Sequence, residues 1–150
     1  MEIVALVISA FSALIALASA LFSYHASKKA NTTADEQKMI SQGQIELQIH
    51  QMISQTKKDL LEIALKVQDG SGDILRQAFE TARELNLNAY DEACSKYLDR
   101  KVDKERFKKN YIVEIRQLVE DPNNQKKFDS VTSKYKCILK VYEEWNNLEK

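Results

Sequence analysis

Residues 3–24 read IVALVISAFSALIALASALFSY, twenty-two consecutive residues without a charge, and Lys28 and Lys29 follow closely. At about 1.5 Å per residue, a helix of this length spans roughly 33 Å, enough for a hydrocarbon core of about 30 Å. The run predicts an N-terminal transmembrane helix, assigned with its flank to residues 1–30. A cleavable signal peptide is the competing reading, because Ala18, Ser19 and Ala20 resemble a small-residue cleavage site. Such peptides open on a positive region and carry an apolar core of about 7 to 15 residues. Here Glu2 precedes the run and no Lys or Arg does. The charge asymmetry across the span predicts an outside N-terminus and a cytoplasmic polar part, with Tyr24 and His25 at interfacial depth.

Small residues in the span are ordered. Ala5, Ser9, Ser12, Ala16, Ser19 and Ser23 recur at alternating steps of 4 and 3, while Phe11, Leu14, Leu17 and Leu21 lie elsewhere around the helix. A face of this kind lets helix backbones approach closely, and hydroxyls can bond across the contact for around 0.6 kcal/mol each. Association of spans through these six positions is therefore an expectation. The competing account is that each serine satisfies its hydroxyl on its own helix.

Composition narrows the remainder. Twenty-two basic and twenty-two acidic residues are mixed along the 150-residue chain, giving zero formal charge and no electrostatic footprint for DNA or RNA. The segment from Arg100 to Lys109 is locally basic. Its Arg100, Lys101, Lys104 and Lys108 are candidates for an anionic leaflet or an acidic partner, against the plainer reading of a solvated helix face. Cys94 and Cys137 lack metal or redox spacing and read as small core residues. His50 stands alone, no glycine loop could cradle a phosphate, and no nucleophile has an identifiable base. The sequence thus predicts neither an enzyme nor a cofactor.

With three glycines and one proline, helix breakers mark the boundaries. Thr33 and Glu36 fit a capping box, placing a break near Asn31 and a stalk helix over 31–69. Its seam is Ile45, Ile49, Met52, Thr56, Leu60, Ile63 and Val67, either a weak coiled coil or a helix that docks on its own domain. Asp69, Ser71, Asp73 and Glu80 fall at calcium-loop positions 1, 3, 5 and 12, but Ile74 occupies the position that requires glycine. A plain turn with Asp73 as the next cap is the better reading. Residues 70–150 then form a cytoplasmic helical bundle. Its segments are Ile74–Leu85, after which Asn86 and Asn88 loosen the chain, a helix capped by Asn88 up to Leu98, a helix capped by Asp103, and a last helix opened by Asp121 and Pro122. Phe128, Val131, Tyr135, Ile138, Tyr142 and Trp145 would form the inner stripe of that last helix, while Asp91, Glu92, Glu143 and Glu144 read as solvent contacts. The predicted fold is all-α: a transmembrane helix, a long stalk helix and a small C-terminal bundle.

The stretches Ala89–Leu98, Asp103–Tyr111, Glu114–Arg116 and Ile138–Asn146 resemble an uncharacterised family of short single-pass bacterial membrane proteins with a cytoplasmic helical domain. That resemblance covers roughly the last sixty residues. It implies a bacterial inner-membrane location and carries over no activity or binding residue. Two functional expectations follow from the residues themselves. One is a membrane-tethered scaffold or adaptor whose partners are lipid and a protein, or a second copy through the span. The other is a membrane effector, of toxin or defence type, whose serine-faced spans assemble to permeabilise the bilayer.

Overall fold

The computed structural model describes residues 2–68 and 72–147, with side chains described for 19–67 and 72–147. It is all-helical among these residues. The elements are α1 (Glu2–Gln68), α2 (Asp73–Leu98), α3 (Lys104–Glu120), a 3-10 helix (Pro122–Lys127) and α4 (Lys136–Asn147). Among the described residues no helix is long and apolar enough to cross a membrane. Most of the uncharged run, residues 3–18, lies outside the described side chains, as do the association candidates Ala5, Ser9, Ser12 and Ala16. Ser19 and Ser23 are described and exposed.

The break expected near Asn31 is absent, and α1 runs unbroken for 67 residues. Thr32 Oγ1 donates to the Lys28 carbonyl one turn back (3.0 Å), a bond made within a continuing helix rather than at a start. The chain divides into two compact units, Met1–Ile40 and Ser41–Lys150. This boundary lies inside α1, whereas the sequence reading divides the chain at residues 30 and 69. The reason is the seam: its Ile49 is only 3 % exposed and belongs to the bundle core, with Ile45 and Met52 packed beside it, and Ile53, next to the predicted seam, is as deeply buried. In the second unit the seam therefore docks on its own domain. Polar contacts register it there. Glu46 takes Arg106 in two contacts (Nε to Oε2 2.6 Å, Nη2 to Oε1 3.0 Å) and accepts the Asp103 N–H (2.9 Å).

Asn86 and Asn88 do not interrupt α2, which is continuous over 26 residues. Asn86 is buried, and its Nδ2 donates to Thr56 Oγ1 on α1 (3.0 Å), so its amide serves packing instead of breaking the backbone ladder. Gly72, not Asp73, holds the N-cap position, and Asp73 is the first helical residue. The α3 start follows the sequence reading, with Asp103 Oδ1 accepting the Arg106 N–H (2.8 Å).

Asp121 and Pro122 open only a short 3-10 turn, in which Asp121 accepts the Asn123 N–H (2.9 Å). The long final helix is replaced by turns from Phe128 to Tyr135. Asp129 Oδ1 gathers the N–H groups of Val131 and Thr132 (3.1 and 2.8 Å), and Ser133 Oγ accepts from Tyr135 N–H (3.0 Å). These local bonds outcompete the helix. Val131 is accordingly 81 % exposed, while Val141, outside the predicted stripe, is fully buried. Helix α4 begins where Asp91 of α2 accepts the N–H groups of Cys137 and Ile138, both at 3.0 Å. Asp91 is thus a cap supplied by another helix and not a solvent contact.

Replacing Asp91 with Ala should cost about 1–2 kcal/mol of stability, read by chemical denaturation of the full chain. Val131→Ala, at the exposed position of the predicted Phe128–Trp145 stripe, should change the same midpoint by no more than about 0.5 kcal/mol.

Candidate functional site

The basic segment Arg100–Lys109 is built around the end of α2. Arg100 has a left-handed backbone (φ 59°) because α2 closes in a Schellman arrangement. There the Lys101 N–H reaches the Lys96 carbonyl (2.9 Å) and the Arg100 N–H reaches that of Tyr97 (3.1 Å). Lys101 lies 3.6 Å from Asp99. Lys104 sits 4.5 Å from the Tyr97 ring centroid and 3.4 Å from Glu144. Lys108 is half-buried on α3. Of the four candidates, Lys104 is committed to packing, Lys101 is compensated locally, and the outward charge rests on Arg100 and Lys108.

Beneath this segment lies an aromatic core. Tyr97, Phe107, Tyr111 and Trp145 meet with ring centroids between 4.8 and 6.3 Å apart. Trp145 Nε1 donates to Tyr97 Oη (3.0 Å), which donates to Glu144 (2.9 Å). Glu144 is therefore an internal acceptor, correcting its assignment to solvent. A second tyrosine–carboxylate pair joins three helices: Tyr90 donates to Glu114, which also holds Lys57 of α1 (2.6 Å). Burial first, then the Glu114 hydrogen bond, pushes the Tyr90 phenol far above its ordinary value of 10.0. Desolvation likewise raises Tyr97 and Tyr111.

Burial pushes the Cys94 thiol well up and raises that of Cys137. Both are free thiols in surroundings that disfavour the reactive thiolate. His50 is exposed and borders a cavity of about 270 Å³ with Glu46 and Tyr111. It makes no hydrogen bond to a nucleophile among the described residues. Among those residues, too, no group of three or more His, Cys, Asp or Glu is placed to hold a metal ion. Asp69 and Ser71 of the calcium-loop pattern lie outside them.

Three concave regions remain in the second unit. A cleft of about 500 Å³ is lined by Leu60, Phe79, Arg83 and Asn124, and continues past Asn86 into a smaller one beside Lys57 and Glu114. An apolar groove of about 550 Å³ runs between α1 and α2, with Ile63, Ala78, Ala82 and the exposed Ile74 and Leu85 on its walls. The third gathers lysines 126, 127 and 134 around Tyr135. Sequence reasoning missed that cluster because it placed those residues along one helix, where Lys134 would stand about 10 Å along the axis from Lys127; the turn at 128–135 lets them line one cavity. No protein family, curated protein or solved structure matches the chain.

Arg100→Gly should stabilise the fold by about 1 kcal/mol, since glycine takes a left-handed backbone without the Cβ penalty; thermal unfolding reads the shift. A phenol with a raised folded-state pKa holds its proton more tightly folded than unfolded. The stability Tyr90 contributes is therefore complete below its unfolded value of 10.0 and is lost as pH rises above it. Denaturant midpoints followed upward from neutral pH should fall on the alkaline side, and Tyr90→Phe should flatten that limb.

Proposed function

We propose that the chain is a membrane-tethered helical scaffold that presents its Ser41–Lys150 unit to a partner at the cytoplasmic face of a bacterial inner membrane. The observation that carries this reading is the uncharged run of residues 3–24, closed by Lys28 and Lys29 and ending in Leu21, Phe22 and Tyr24 at 62, 79 and 64 % exposure. Side chains of that size left exposed on a helix favour an apolar surrounding, and lipid supplies one over a length that fits a bilayer.

Helix continuity adds to the argument. Because α1 does not break at Asn31, the small-residue stripe of the span continues in step through Ala26, Ala30 and Thr33. A second copy could pack along it beyond the span. The second unit supports the scaffold role by what fills its interior: its tyrosines and carboxylates lock helices to one another, and its thiols are held protonated. A scaffold needs a stiff domain and an anchor, and these residues supply stiffness.

Carbonate extraction and crosslinking of the full chain, beside a version starting at Ala34, test the reading. The full chain should stay with the membrane and the shorter one should leave it; release of the full chain would overturn the tether. Ser9→Leu, Ser12→Leu, Ser19→Leu and Ser23→Leu together should shift crosslinked multimers toward monomer without releasing the chain. Dye leakage from vesicles that depends on these serines would favour the permeabilising effector instead.

A further inference from the structure

A cavity of about 190 Å³ opens between α2 and the turn after the 3-10 helix, walled by Lys126, Lys127, Thr132, Ser133, Lys134 and Tyr135. We propose that this cavity is a phosphate site, taking the oxyanion of inorganic phosphate or of a phosphate-monoester headgroup.

Donors dominate its wall. Three lysines line it, the ammonium groups of Lys127 and Lys134 both lie within 4 Å of the one Glu84 carboxylate, and lysine binds phosphate as a compact point charge. Lys126 is exposed and enters no ion pair among the described residues. Ser133 is buried, and its Oγ accepts the Tyr135 N–H (3.0 Å), which leaves its hydroxyl proton free to donate. Tyr135 is 2 % exposed, and its phenol oxygen has no hydrogen-bond partner among the described residues. Its proton has no acceptor there. The oxygen is closed off from solvent, so a small opening of the wall that Tyr135 shares with the lysines would let an oxyanion supply that acceptor.

Glu84 also borders the cavity and shows how an oxyanion is held there. Its carboxylate accepts from Lys134 Nζ (3.2 Å) and lies 3.9 Å from Lys127 Nζ, while Lys127 also reaches Glu80 (3.3 Å). Glu84 is half-exposed at the end of a flexible side chain. A phosphate, with more charge and more acceptor oxygens than a carboxylate, can displace it into solvent and keep the same ammonium groups. The site rests on the second unit alone and does not depend on the tether reading.

Isothermal titration of the full chain in phosphatidylcholine nanodiscs with inorganic phosphate tests the proposal. Binding should be saturable. It should weaken about tenfold or more in Lys126→Gln/Lys134→Gln, and should stay unchanged in Lys108→Gln/Lys109→Gln. Tyr135→Phe should weaken binding without lowering the thermal midpoint of the free protein. Glu84→Gln should tighten it, because the internal competitor loses its charge; a merely structural ion-pair network would give no such gain. Amide exchange over residues 126–135 in nanodiscs containing phosphatidic acid, free of phosphate, separates the two sources. Protection there, lost in the lysine variant, identifies a lipid headgroup, and protection with inorganic phosphate alone identifies the free ion. If the native chain and the lysine variant respond alike to both probes, or if Glu84→Gln weakens binding, the proposal fails.

Discussion

Asp91 presents one carboxylate oxygen to two N–H groups at the start of a helix that lies 46 residues further along the chain, and the layout of the bundle depends on that contact. Helix α4 has twelve residues, a length at which an isolated helix is marginal in water. Its first N–H groups have no partners of their own, and the positive end of its dipole faces the negative carboxylate. With α4 started at Lys136, Ile138, Val141 and Trp145 fall on its inner face, and all three are buried. An earlier start would leave these three on one face, because helix phase does not depend on where the helix begins, but it would draw Tyr135 and the turn before it into the helix.

Helix α1 changes its side-chain pattern along its length. From Ile45 onward it carries a narrow apolar seam, and that seam is answered by the bundle. Glu46 meets Arg106 and the start of α3, Thr56 meets Asn86, and Lys57 meets Glu114. Polar pairs at the margin of a hydrophobic contact add little energy each, but they fix its register. Earlier in the helix residues 3–24 carry no charge, and Leu21, Phe22 and Tyr24 among them are exposed.

The tyrosines divide the same labour within the bundle. Tyr90 and Tyr97 each bury a ring in the core and donate a hydroxyl hydrogen bond to a carboxylate on another helix. A buried phenol requires an acceptor, so each ring stitches helices together wherever a carboxylate lies within reach. Tyr135 breaks the pattern, with a buried hydroxyl and no acceptor, in the part of the fold where lysines gather. The contrast is with Tyr90 and Tyr97, whose hydroxyls both reach carboxylates.

The sequence by itself determined what depends on nearest neighbours along the chain. The all-helical class, the α3 start at Asp103, the boundary at Asp121 and the seam of α1 follow from caps, proline and 3.6-residue periodicity. These signals act within a turn or two, so they are written locally. Tertiary structure decided the rest. Asn86 and Asn88 look like breakers until Thr56 of α1 takes up the Asn86 amide. The stripe from Phe128 to Trp145 looks like one helix until Asp129 and Ser133 bind their own backbone and Asp91 restarts the helix from across the bundle. The lysine cluster around Tyr135 could not be read at all, because its members converge only after that turn forms. Each failure has one cause: a short polar side chain can satisfy its hydrogen bonds locally or far away, and the chain order does not say which partner will be within reach.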